Sequence, residues 1–216
     1  MSEDGRVSFA RRAHRHTYQP EDILRREDQS ADEVVFVLEG KVKVTTEQLD
    51  ESELILGIFG PGHPSGGFGL FGETFPGRIE ALTDVETAEI GRADFLDILD
   101  REPSASATFV EIATERNRHL IRRLHDATVA PAERRLALVF QMFREAWGES
   151  AELEGGESGV VVPLSIKRRD LAALINTRTE TAIRLVRDWE RSDILQTNAD
   201  GFVITSPTEL DELAGG

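Results

Sequence analysis

Ser165-Ile166-Lys167-Arg168-Arg169-Asp170-Leu171-Ala172-Ala173-Leu174-Ile175-Asn176-Thr177-Arg178-Thr179-Glu180-Thr181-Ala182-Ile183-Arg184-Leu185-Val186-Arg187-Asp188-Trp189 is the stretch whose reading decides the fold. Leu171, Leu174 and Ile175 recur at helical spacing and give a first helix one apolar face. Asn176-Thr177 interrupts that helix, and Asn tolerates the left-handed backbone that closes many helices. A second helix begins near Arg178 or Thr179, with Ala182, Leu185, Val186 and Trp189 on one face. A helix, a short turn and a helix make up the unit that lays its second helix in the major groove of DNA.

The second helix carries the informative chemistry. Glu180 and Arg184 share a face, opposite the one that Leu185 and Trp189 bury. Arg can donate two hydrogen bonds to a guanine edge, and Glu can accept one from a cytosine amino group. Thr179 and Arg178 stand at the helix start, where bases and phosphates are met. Lys167, Arg168 and Arg169 form a basic cluster suited to phosphates, as Arg178 is. The bland alternative is an exposed Glu/Arg pair that supports its own helix by about 0.2–0.5 kcal/mol. The preceding helix, the turn and the basic cluster favour base reading.

A net charge of -15 argues at first against a nucleic-acid partner. Its distribution answers the objection. Residues 16–100 hold 6 basic and 19 acidic residues, a net of -13, whereas residues 164–192 hold 7 basic and 4 acidic, a net of +3. Residues 101–135 hold 7 basic and 5 acidic, a net of +2. The candidate reading segment is therefore a basic island in an acidic chain. With no cysteine among 216 residues, disulfides, zinc–thiolate sites and thiolate-held iron–sulfur clusters are excluded. No run approaches the length of a membrane span and no secretory h-region is visible, so a cytoplasmic protein with no membrane partner is expected.

In chain order, residues 1–16 are polar and read as a partly ordered arm. His14 and His16 lack a third partner for a metal, and no metal or cofactor is expected. From Thr17 onward short strands follow one another. Val34-Val35-Phe36-Val37-Leu38 is a buried run, Lys41-Val42-Lys43-Val44-Thr45 alternates, and Leu54 to Phe59 resumes. Gly60 to Gly67 is breaker-rich loop. Arg78 to Leu82 and Val85 to Ile90 complete a small barrel or roll. Gly67-Phe68-Gly69-Leu70-Phe71-Gly72 matches G-x-G-x-x-G literally, but it does not follow a strand entering a βαβ unit, so it reads as a glycine-rich turn.

Pro103 opens a long helix to about Asp126. Val110, Ala113, Asn117, Leu120 and Leu124 step along it as a heptad seam, with Ala127 next in line. The flanking Arg116, Arg118, Arg122 and Arg123 leave a narrow apolar stripe, which favours a dimer over a monomer core. Pro131 starts a further helix to Trp147. Residues 148–159 are acidic and glycine-rich and read as a mobile loop. After the helix pair, 194–197 and 202–205 read as strand, turn and strand, a wing, and a short helix from Pro207 ends the chain.

This order resembles the CRP/FNR superfamily of bacterial transcription regulators, over nearly the whole chain. The recognition-helix motif R-E-T-x-x-R of that family is matched by Glu180, Thr181 and Arg184, with Thr179 in place of the first Arg. The resemblance implies that Glu180 and Arg184 read a G·C pair. The position before the last Arg is usually small. Here it is Ile183, expected to face DNA and touch a thymine methyl. The resemblance also implies a cyclic-nucleotide-binding-like roll, whose candidate effector pocket is Gly66, Gly67, Phe68, Gly69 and Arg78. Members that bind cAMP hold its ribose with a Glu and its phosphate with an Arg-Ser pair. Here Gly67 stands where the Glu would be, and Ile79 follows Arg78. A buried cyclic phosphate without those partners is poorly stabilised, so control by cAMP is not expected.

The expected fold is α+β: a β-roll over 1–102, a dimerisation helix over 103–130, and a winged helix-turn-helix domain over 131–216. The expected function is a sequence-specific transcription regulator that binds a palindromic site in double-stranded DNA as a homodimer. The resemblance adds RNA polymerase as a partner. The alternatives are a regulator of the same fold that answers to cAMP or another small molecule, or a ligand-binding protein whose helix pair meets other proteins. No nucleophile-and-base set stands out, so no enzyme is expected.

Overall fold

The apolar run at 34–38 forms strand β3 (Glu33–Glu39), and its two faces pack against different neighbours. That explains why the run does not alternate. In this computed structural model, residues 1–30, 32–47, 53–65, 74, 77–152 and 158–215 are described. The chain divides into two compact units, Met1–Ile121 and Arg122–Gly216.

Among the described residues, the first unit is built on two four-stranded antiparallel sheets. One has the order β1 (His14–Tyr18), β8 (Val85–Gly91), β3, β6 (Pro64–Ser65). The other has the order β2 (Ile23–Arg25), β7 (Arg78–Ala81), β4 (Val42–Glu47), β5 (Glu53–Phe59). Leu24, Val35, Val37, Val42, Val44, Ile79, Ala81 and Val85 meet in a shared apolar core. Val34 and Ile90 pack elsewhere, with Phe95 and Ile98 of α2 (Arg92–Arg101) and Phe109 of α3 (Pro103–Val129).

Two expectations for this unit need correction. The N-terminal arm is a helix, α1 (Glu3–Arg12), followed by β1. The Ser2 hydroxyl caps it by accepting from the Gly5 N–H at 3.0 Å, and Glu3 and Asp4 complement the helix dipole. Phe9 meets Phe36 edge-on at 5.3 Å, and Arg12 reaches Asp97 at 2.7 Å. A single Phe in a polar run is a weak signal for such anchoring. The breaker-rich segment also contributes a short strand, since Pro64 and Ser65 pair with Phe36 and Val35. Residues 48–52, between β4 and β5, lie outside the described residues.

In the second unit, α4 (Ala132–Trp147) supplies the core. Leu136, Ala137, Val139, Phe140 and Phe143 are all buried. Residues 148–159, expected as a mobile loop, instead contribute β9 (Glu149–Glu152) and the start of β10 (Ser158–Val162), which pair antiparallel. Backbone pairing there overrides acidic, glycine-rich composition; 153–157 lie outside the described residues. The sheet order is β11 (Leu195–Thr197), β12 (Phe202–Ile204), β10, β9. At the C-terminus α7 (Pro207–Ala214) packs on α4 through Asp211, which accepts from Gln141 Nε2 at 2.6 Å and Arg144 Nη2 at 2.8 Å. The Arg144 hydrogen bond, then that of Gln141, holds the Asp211 carboxyl below its usual range. A depressed folded-state pKa stabilises above the unfolded value, and the contribution is lost as pH falls through the folded one. Asp211→Asn should therefore lower Tm at neutral pH, and the gap should close as pH drops below about 4. Thermal melts of both proteins across pH check this. A gap that does not change with pH would remove the ionised carboxylate from the account.

Candidate nucleic-acid interface

The helix pair is α5 (Arg168–Leu174) and α6 (Thr179–Arg191). Leu171, Leu174 and Ile175 are buried, as are Ala182, Leu185, Val186 and Trp189. The turn closes as its residues suggest. Asn176 has φ 48, and Thr177 N–H donates to Ala172 O at 3.0 Å, the six-to-one bond of a Schellman motif. The Arg178 carbonyl then accepts from Thr181 and Ala182 N–H, starting α6.

The outward face of α6 presents Glu180 and Arg184, both exposed, with Thr179 and Ile183 half-buried beside them. Glu180 and Arg184 do not pair with each other. Among the described residues neither takes part in an ion pair. Their hydrogen-bonding groups are thus not consumed within the helix, as the bland reading required. Arg187, also exposed, lies one turn further along the same face. It was not singled out from the sequence, although its spacing from Glu180 and Arg184 places it there.

The basic cluster divides. Lys167 and Arg169 are exposed, as is Arg178 at the α6 N-cap. Arg168 turns inward. It donates to Thr197 Oγ1 at 2.8 Å and stands 3.5 Å from Glu190 and 5.9 Å from the Phe202 ring centroid. Burial pulls its pKa down. Arg168 therefore ties α5 to α6 and to the wing rather than facing outward. The wing is the β11–β12 hairpin. Asn198 Oδ1 accepts from Asp200 and Gly201 N–H, and residues 196–200 are exposed. Gly201 has φ +155, and a Cβ there would lie 2.2 Å from Val162 O, so only glycine fits.

Helix α3 has no buried residue in its full 27-residue length. Of the seam residues, Val110, Ala113, Asn117 and Leu124 are exposed and Leu120 is half-buried. Leu124 is 68% exposed and Val110 61%, with Ile121 at 59% nearby, so an apolar stripe lies uncovered on a single chain. Two of the flanking arginines leave the seam. In the first unit Arg116 lies 4.0 Å from the Phe59 ring centroid and donates to Pro64 O at 3.0 Å; burial pulls its pKa down to about 10. In the second, Arg123 donates to Leu174 O at 2.7 Å.

Of the candidate effector residues, Gly66, Gly67, Phe68 and Gly69 lie outside the described residues, so only Arg78 is placed. Arg78 pairs with Glu53 and stands 3.5 Å from Glu80, which in turn meets the fully buried Lys43 at 3.1 Å. Its charge is already matched by carboxylates. No described helix is long and apolar enough to cross a membrane, and no group of three or more metal-ligating side chains is assembled among the described residues.

Comparison with known proteins follows the same division of the chain. Residues 15–102 match the family described as cyclic nucleotide-binding domain, and residues 134–213 match the Crp-like helix-turn-helix domain. The CRP-like protein Clp of Xanthomonas campestris pv. campestris is 27% identical over 203 residues, covering 91% of this chain and 86% of its own. Among solved structures, FixK2 from Bradyrhizobium japonicum has a TM-score of 0.80 at 20% identity, covering 94% of this chain and 98% of that one. The c-di-GMP-responsive global regulator Clp from Xanthomonas campestris has a TM-score of 0.74 at 22% identity, covering 94% and 99%.

Proposed function

Because this chain belongs to the CRP/FNR superfamily of transcription regulators, and is itself a regulator of that type with a helix-turn-helix DNA-binding domain, we propose that it reads a palindromic DNA site as a homodimer. The observation that carries this reading is the exposed α6 face, where Glu180 and Arg184 are committed to no internal partner among the described residues. Arg184 donates to a guanine, Glu180 accepts from a cytosine, and Thr179 and Ile183 complete the base contacts. Lys167, Arg169, Arg178 and Arg187 hold phosphates, and Arg168 acts mainly by bracing the wing. Val110, Ala113, Asn117, Leu120 and Leu124 form the seam of a two-fold dimer, which matches the symmetry of a palindrome. Family resemblance adds RNA polymerase as a partner, a cytoplasmic location and no catalytic role.

Selection of binding sites from random DNA tests the proposal. The wild type should recover two inverted half-sites about one helical turn apart. Recovery of no preferred sequence would overturn the reading. Ile183→Gly should relax one thymine-containing position and leave the rest of the half-site intact. An unchanged preference would remove Ile183 from the base contacts.

Control by cAMP is not part of the proposal, because Arg78 already pairs with Glu53 and Glu80. Titration calorimetry with cAMP and cGMP should show no micromolar binding; such binding would refute this part. A second reading, that the roll answers to another nucleotide, draws support from the relative Clp, a c-di-GMP-responsive regulator. Cyclic di-GMP therefore belongs in the same titration, and heat at micromolar concentration would favour that reading.

A further inference from the structure

Two half-buried arginines grip the C-terminal end of α5. Arg123, near the end of α3, donates from Nη2 to Leu174 O at 2.7 Å. Arg135, in the first turn of α4, donates from Nε to Ile175 O at 2.8 Å and from Nη2 to Asn176 O at 3.4 Å. Arg135 Nη1 also donates to Ala130 O, at the elbow between α3 and α4. Burial lowers the pKa of Arg123, as expected for a charge brought out of water to make such a bond.

The physical logic is specific. The last carbonyls of a helix lack intrahelical partners, and cations complement the negative end of its dipole. The Schellman bond from Thr177 satisfies Ala172 O. The carbonyls of Leu174, Ile175 and Asn176 go to guanidiniums from two other helices. These bonds lie within the second unit, which also contains Leu124, the last of the seam residues proposed for the dimer. Arg123 is Leu124's neighbour in the chain. Arg123 turns to α5 while Leu124 stays 68% exposed. One turn of α3 thus offers a contact to a second copy and holds the turn of the reading head.

We infer that Arg123 and Arg135 are positioning residues that set the distance between the two recognition helices, and so the half-site spacing that the protein accepts. They touch no base. The inference rests on the homodimeric reading proposed above. With the clamp intact, the turn before α6 is held by charged hydrogen bonds to α3 through Arg123 and to α4 through Arg135. Without it, each head still reads its half-site but pivots at the elbow.

The test is site selection from a DNA library with fixed half-sites and variable spacers, using the full chain as wild type, Arg123→Gln, Arg135→Gln and Arg123→Lys. Sedimentation and thermal melts run alongside. The wild type should favour one spacing over those one base pair longer or shorter by about tenfold, since half-site spacing follows the geometry of the dimer. Each Gln variant should reduce that preference to about twofold while keeping the half-site sequence, and Arg123→Lys should restore part of it. A Gln variant that is folded and dimeric but retains the wild-type spacing preference overturns the inference. Loss of half-site sequence in the folded Arg123→Lys also overturns it, because the arginine would then be shaping the reading face itself. A wild type that is monomeric or selects no paired half-sites sinks the underlying dimer reading instead, and the inference with it.

Discussion

Arg184→Ala is expected to weaken binding to the selected site by about 1–3 kcal/mol, and to leave one base position unspecified. The guanidinium is exposed on α6, on the face opposite Leu185 and Trp189, and no ion pair among the described residues holds it back. Its removal should leave folding unchanged, because it packs into no core. The loss should therefore be selective. It should be large on the preferred sequence and small on a sequence already mutated at the matching base pair. Removing a phosphate-facing residue such as Arg169 should instead weaken all sequences alike and lower the salt slope by about 1. Anisotropy titrations against a set of single-base variants separate the two patterns. An equal loss from Arg184→Ala on every sequence would contradict its base-reading role.

Phe140→Ala should destabilise the DNA-binding unit by about 3–5 kcal/mol, the range for deleting a buried aromatic ring. The Phe140 ring meets Phe143, Trp189 and Phe202 edge-on, with centroids 5.9, 5.8 and 4.9 Å away. These contacts connect α4 to the recognition helix and to the wing. Trp189 is further held by Nε1 donating to Glu133 Oε1 at 3.2 Å. A cavity at Phe140 would loosen both elements at once, so sequence selectivity should fall together with stability. Urea denaturation followed by Trp fluorescence measures the first effect, and site selection measures the second. A cost below about 1 kcal/mol would mean that the unit collapses around the missing ring.

Much of the reading head was legible because its signals are local. The left-handed Asn176, the buried Leu171–Leu174–Ile175 set and the exposed Glu180–Arg184 face all follow from helical period and turn chemistry over a few residues. The apolar stripe of α3 was legible for the same reason. Helix α3 spans 103–129 and keeps its apolar stripe exposed. Less legible were segments whose structure depends on a distant partner. Helix α1 is held through Phe9 and Arg12 by residues more than twenty positions away. The acidic segment around β9 was hidden for a different reason: it pairs with its near neighbour β10 despite its composition.

The long cations mark the boundary most clearly. From the sequence alone, Arg116 and Arg123 are flanks of a helical seam, and Arg168 is one member of a basic cluster. Periodicity determines the side of a helix on which each begins. It does not determine where a flexible stem and a five-donor guanidinium find their acceptors. Arg116 meets a carbonyl 52 residues away, Arg123 one 51 residues away, and Arg168 a hydroxyl 29 residues away. The sequence by itself determined the helix pair, its turn and the exposed Glu180–Arg184 face, because these depend on neighbours within one or two helical turns. Only the tertiary structure decided which cations remain exposed and which turn inward to hold the fold, because that choice depends on carbonyls, rings and hydroxyls brought near by distant parts of the chain.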